Sequence, residues 1–224
     1  ARQALPALSA GARAIVDSVG AEGELRRLLE IRVAELIAYQ DAAYARRYAA
    51  FLARVRAAEQ AAVPGRTRLS EAVARYLFKL MAYKDEYEVA RLHLRTDLDQ
   101  KLADTFGQVE RVRYLLHPPI LRALGWNKKI AFGRWFDAVY ELLVRMRRLR
   151  GTALDIFGYA RVRRVERALI DEYRALIERA LVDLSPETYD RAVQGAELPD
   201  VVRGYEAVKL RNVERFRAAA RELE

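Results

Sequence analysis

From Glu24 to Ala62 the chain has neither proline nor glycine, and Leu25, Leu29, Val33, Leu36, Gln40, Tyr44, Tyr48, Phe51 and Val55 recur at spacings of three and four. Residues so spaced lie on one face of an α-helix, because each residue turns the chain by about 100°. The pattern predicts one long amphipathic helix over residues 24–62, or two in line. Pro64-Gly65 stops it and turns the chain into an antiparallel hairpin with a second helix, predicted over residues 68–94 with Ser70 as a cap. That second helix carries apolar residues on several sides (Val73, Leu77 and Leu80, but also Phe78, Met81 and Val89), which predicts a central, buried position.

The remainder continues the helical theme with one interruption. A short helix is predicted over residues 97–106. Residues 109–117 then alternate imperfectly, as a strand does, and residues 127–132 offer a partner, giving a small β-hairpin with a long loop. Further helices are predicted over residues 133–150, 160–184 and 205–223, and Ser185-Pro186-Glu187 has the residue types that begin another. The fold class expected is therefore mainly α: a long antiparallel helical hairpin packed by further helices, with one small β-hairpin. Residues 1–23, interrupted by Pro6, Gly11, Gly20 and Gly23, read as a linker or short helix joining an upstream domain; residues 24–224 read as a single helical domain. The first residue is not Met, and the chain reads as a piece of something longer.

Composition narrows the chemistry. With no Cys, the chain cannot form disulfides, thiolate metal sites or cysteine-held clusters, and this fits a reducing, cytoplasmic setting. His93 and His117 are the only histidines, too few for a multi-histidine metal centre. Forty basic residues against thirty-one acidic ones give a formal charge of +9. The isoelectric point of about 9.9 is compatible with a polyanionic partner. Yet the charges are interleaved along the helices, the pattern of a solvated face, so nucleic acid is the weaker expectation. No run of about 18 apolar residues predicts a membrane span.

Signature loops for phosphate or dinucleotides, the zinc-protease helix motif and the nucleophile elbow are all missing. Two clusters stand out. Lys84 falls on the apolar stripe of the second helix, beside Asp85, Glu88 and Arg91. A buried ammonium must be paired, so these residues form either a buried ion-pair network, with Glu35 or Asp41 as further acceptors, or a ligand contact. Lys128 and Lys129, with Arg145, Arg148 and Arg150, are the densest basic segments. They are either solvated surface or a docking face for an acidic partner. Trp126 and Trp135 flank the predicted hairpin and read as packing residues; His117, before two prolines, reads as a strand end, and His93 lies near a helix C-terminus, where a cation is favoured.

Five strings, taken in order and spacing, resemble the C-terminal domain of the long, fused indolepyruvate ferredoxin oxidoreductases: AYQDAAYARRY at 38–48, ARYLFKLMAYKDEYEVARL at 74–92, FGRW at 132–135, RGTALDIFGY at 150–159 and RGYEAVK at 203–209. The resemblance covers residues 24–224. It implies a parent enzyme that oxidatively decarboxylates aryl or branched 2-oxo acids to acyl-CoA, using thiamine diphosphate, coenzyme A and iron–sulfur clusters, and passing electrons to ferredoxin. None of that machinery is in this stretch: it lacks Cys and a thiamine-type Gly-Asp-Gly motif. What is implied here is a non-catalytic accessory domain without a cofactor of its own. Its partners would be the thiamine-binding and other domains of the same chain, together with ferredoxin. Ferredoxins are generally acidic, and this stretch is basic.

Overall fold

The computed structural model describes residues 7–95, 114–116, 130–132, 136–204 and 206–223. In chain order the elements are α1 (Ala10–Asp17), α2 (Gly23–Tyr39), α3 (Ala42–Ala62), α4 (Arg68–Met81), α5 (Glu86–Arg95), β1 (Tyr114–Leu116), β2 (Ile130–Phe132), α6 (Phe136–Met146), α7 (Arg161–Val182), α8 (Tyr189–Glu197) and α9 (Glu206–Glu222). Short 3₁₀ turns at Arg147–Leu149 and Leu198–Val201 complete them. The molecule is mainly helical. No helix among the described residues is long and apolar enough to cross a membrane.

The chain divides into two compact units, Ala1–Tyr83 with Leu149–Glu224, and Lys84–Arg148. The stretch read as a linker or short helix contributes a short helix to the first unit. Ser9 accepts a hydrogen bond from the Ala12 N–H at 3.2 Å and starts α1, whose Ala12, Ile15 and Val16 are buried in the core of the first unit.

In that unit the predicted helix over residues 24–62 is two helices. Asp41 ends the run: its Oδ1 accepts the Tyr44 N–H at 2.8 Å, the bond of an N-cap. α2 then packs against α3 instead of continuing it. The hairpin through Pro64-Gly65 is present as α3 and α4. Their contacts pair Glu59 with Leu69, Tyr48 with Ala74 and Tyr44 with Met81, so the two run antiparallel. Leu29, Val33 and Leu36 of α2 share one core with Leu52 and Val55 of α3, Val73 and Leu77 of α4, and Leu169, Tyr173 and Ile177 of α7. Burying each such aliphatic side chain contributes about 1.5–3 kcal/mol.

Two tyrosines fix helices in that core by donating to main-chain carbonyls. Tyr48 donates to Ala74 and Tyr173 to Ala196, both at 2.8 Å. The start of α4 is held from outside itself. Buried Glu59 accepts the N–H groups of Leu69 at 2.9 Å and Ser70 at 3.0 Å, together with the Ser70 hydroxyl. Those first-turn donors have no partner within the helix, and the positive end of the helix dipole favours the carboxylate. Ser70, expected as a cap, is thus a buried donor.

The helix predicted over residues 68–94 breaks at residues 82–85. Asp85 begins α5 by accepting the Glu88 N–H on Oδ1 at 2.8 Å. In the second unit α5 packs on α6. The Phe136 and His93 rings lie 5.0 and 4.6 Å from that of Tyr140. Leu142 of α6 is exposed. β1 and β2 pair antiparallel, with Tyr114 opposite Phe132 and Leu116 opposite Ile130. The predicted helix over residues 97–106, the loop of the predicted hairpin, His117, Trp126 and Trp135 lie outside the described residues.

Candidate functional site

The break between α2 and α3, the end of α4, the turn after Leu149 and one face of α7 meet around a cleft of about 340 Å³ in the first unit. Its walls are built by residues that close off helix ends. Tyr39 is the last residue of α2, and its carbonyl has no partner within the helix. Arg150 supplies one: its Nη1 donates to that carbonyl at 2.6 Å, and its guanidinium carbon lies 3.6 Å from the centre of the Tyr39 ring. A cation at a helix C-terminus also meets the negative end of the dipole. Gln40 returns a donor to the Arg150 carbonyl at 3.5 Å. Tyr44 donates to Met81 at 3.0 Å and Tyr39 to Tyr83 at 2.9 Å, so the two tyrosines hold the end of α4. Their rings stack at 5.9 Å.

The turn over residues 150–159 is organised by one buried carboxylate. Asp155 accepts the Gly151 N–H on Oδ2 at 2.8 Å and the Gly158 N–H on Oδ1 at 3.0 Å. Gly151 has φ +76°, as expected of a glycine following a helix. A Cβ at Gly158 would stand 2.7 Å from the Asp155 carboxyl carbon and 2.8 Å from Nη1 of Arg167, so only glycine fits. Arg167 Nη2 donates to the Gly158 carbonyl at 2.6 Å, tying the turn to α7. Arg47 and Arg174 complete the basic lining, with Asp171 as the acidic member.

The expected Lys84 cluster is only partly assembled. Lys84 is exposed, because the chain has left the helix before reaching it and the stripe that placed it in the core is interrupted. Asp85 is buried as the cap of α5. Glu88 and Arg91 form a buried two-pronged ion pair, Nε to Oε2 at 2.7 Å and Nη2 to Oε1 at 2.6 Å. Of the expected docking residues, Arg145 and Arg148 are exposed, and Arg145 lies 3.9 Å from Glu141 on its own helix. Lys128 and Lys129 lie outside the described residues. Arg150 is buried against Tyr39 and is no docking residue: its charge is spent on a helix end.

Several organising residues escaped the sequence reading. Glu59 follows Val55 by four and so continues the apolar stripe of α3, a visible signal of burial. Glu166, three residues before Leu169, is likewise buried; it accepts from Arg163 at 2.7 Å and is also paired with Lys209. Arg47, Arg167 and Arg174 resemble every other helix arginine in the chain, and nothing local marks them. Among the described residues no group of three His, Asp or Glu side chains is placed to hold a metal ion. Residues 25–222 match a family of unknown function, DUF6537. No curated protein and no solved structure matches the chain.

Proposed function

We propose that this chain, which belongs to the DUF6537 family, is the non-catalytic accessory domain of an enzyme similar to indolepyruvate ferredoxin oxidoreductase. The observation that carries the reading is where the resembling strings fall. Gln40, Tyr44 and Arg47 from the first, Met81 and Tyr83 from the second, and Arg150, Gly151 and Thr152 from the fourth all line one cleft. Lys209 of the fifth is paired with buried Glu166. Four of the five strings thus hold residues that close helix ends, shape the turn or pair a buried carboxylate, which supports reading them together as the signature of one domain. Catalysis, thiamine diphosphate, coenzyme A and the iron–sulfur clusters belong in this reading to other domains of the parent enzyme, in the cytoplasm.

The test is the complete natural chain. Purified with thiamine diphosphate and coenzyme A, it should reduce ferredoxin when given an aryl or branched 2-oxo acid. A complete chain without a thiamine-binding region, or without any 2-oxo acid oxidation, refutes the reading. Within it, reversal of Lys128, Lys129 and Arg148 to Glu should raise the KM for ferredoxin at low salt and leave the thiamine half-reaction intact, because complementary charge mainly speeds encounter. An unchanged KM removes ferredoxin docking from this segment.

The +9 charge favours a second reading, a free-standing basic module for nucleic acid or another polyanion. Retention on DNA that weakens linearly with the logarithm of salt concentration would identify it.

A further inference from the structure

The cleft of the first unit has a donor inventory that defines what can enter it. Most of its polar groups are already engaged. The Tyr44 hydroxyl donates to Met81, the Thr152 hydroxyl to Leu149, and the Gly151 N–H to Asp155. The remaining capacity sits on arginine. Among the described residues Nε of Arg174 is buried without a hydrogen-bond partner, and so is Nη1 of Arg167, which has the Asp155 carboxylate at 3.6 Å. Arg174 otherwise reaches, among the described residues, the Arg47 carbonyl at 3.5 Å and the face of Phe51. Arg47 lies over the Tyr44 ring, and neither Arg47 nor Arg174 has a carboxylate in ion-pair range among the described residues. Of the four lining arginines Arg150 is engaged at a helix end and Arg167 has Asp155 beside it, so Arg47 and Arg174 are the cations left facing the lining aspartate, Asp171.

Guanidinium groups donate and cannot accept, and they lose their proton only far above physiological pH. A ligand for these positions must therefore be negatively charged and rich in acceptors. A carboxylate brings two oxygens; a phosphate brings three acceptor oxygens and nearly two charges near pH 7. Donors from three separate arginines, Arg47, Arg167 and Arg174, match the second. A volume of about 340 Å³ is at the small end of ligand sites, suited to a compact head group and not to a nucleic-acid strand.

We propose that this cleft, at Arg47, Arg167 and Arg174, is a binding site for a small phosphate-bearing anion. The phosphate arrives either as a free ion or as the ester group of a small organic molecule. The site is independent of which enzyme the domain serves, since it is built entirely from side chains of this unit.

The test is calorimetric titration of the chain with inorganic diphosphate, phenyl phosphate and acetate at about 0.15 M salt, where diffuse attraction between exposed charges is largely screened. Diphosphate should bind saturably, one per chain, and acetate should not. Arg47→Ala, an exposed change with little consequence for folding, should weaken binding by about tenfold or more, as expected for loss of a charge-assisted contact. Arg174→Lys, which keeps the charge but loses the planar fork, should weaken it less. Arg46→Ala, exposed and outside the lining, should leave it unchanged. Phenyl phosphate binding as tightly as diphosphate identifies an ester as the source; diphosphate alone identifies the free ion. Absence of saturable binding at about 10 mM, equal loss in Arg46→Ala and Arg47→Ala, or displacement of diphosphate by a lower concentration of single-stranded oligonucleotide overturns the proposal.

Discussion

The hydroxyl of Tyr189 donates to Oε1 of Glu59 at 2.7 Å across 130 positions of sequence, and the same oxygen accepts the Leu69 N–H. One carboxylate thus joins α3, α4 and the start of α8. Glu59→Ala should destabilise the first unit by about 3 kcal/mol or more, because it strands several buried donors at once. Glu59→Gln should cost less, since the amide oxygen still accepts. The urea midpoints of the two variants check this; equal midpoints would deny the carboxylate its role.

The same tyrosine predicts alkaline sensitivity. Burial, and then its bond to Glu59, push the Tyr189 phenol up to about 12; burial raises Tyr48 and Tyr173 as well. In the unfolded chain a tyrosine ionises near pH 10. Above that value the unfolded chain releases protons that the folded one keeps. Stability is therefore complete below about pH 10 and falls above it, by about 1.4 kcal/mol per pH unit for each such phenol. For Tyr189 the loss ends near pH 12. Urea unfolding from about pH 8 to about pH 11 should show the decline, with a shallower slope in Tyr189→Phe. A flat profile through that range would mean the phenols are not held neutral.

The turn over residues 150–159 predicts contrasting glycine effects. Gly158→Ala must displace both Asp155 and Arg167 and should destabilise by about 2 kcal/mol or more. Gly151→Ala places a side chain at φ +76° with room around it, and should destabilise by about 1 kcal/mol. Gly11→Ala, in α1 with nothing within 4 Å of the added carbon, should stabilise by about 0.5–1 kcal/mol. Thermal midpoints that fail to fall in the order Gly11→Ala, Gly151→Ala, Gly158→Ala contradict this account.

Lys84 and Arg91 should separate cleanly. Lys84→Ala, at an exposed position, should change stability by less than about 0.5 kcal/mol. Arg91→Ala leaves the buried Glu88 carboxylate without its two-pronged partner and should cost about 3 kcal/mol. Amide exchange of α5 reads the difference directly: faster exchange in Lys84→Ala would return Lys84 to the core.

The hairpin of α3 and α4 was legible because Pro64-Gly65 is strong punctuation and the stripes of Tyr48, Phe51, Val55 and of Val73, Leu77 have helical period. The breaks at Gln40-Asp41 and at residues 82–85 were not, because apolar periodicity runs through both. What ends each helix is a single short acidic side chain, Asp41 or Asp85, folding back on an N–H three residues ahead. A composition-level reading gives such a residue no more weight than any other charge. The Lys84 error follows from that missed break. The arginines of the cleft were illegible for another reason: Arg47, Arg167 and Arg174 acquire meaning only when α3 and α7 meet, and no local spacing encodes that meeting. Asp155 differs: Gly151 and Gly158 on either side of it are local marks of a turn.

The first unit is written in two pieces, with Lys84–Arg148 between them. On the ribosome, α2, α3 and α4 emerge long before α7 and α8, yet Glu59 waits for Tyr189 and the Tyr39 carbonyl for Arg150. Half of the core therefore exists for a time as a helical hairpin with its apolar face bare and its acidic cap incomplete. A nascent chain in that condition is a substrate for chaperones, and its completion is a late, long-range event. Stalling translation near residue 148 should leave α2–α4 protease-sensitive, and release through residue 197 should protect them.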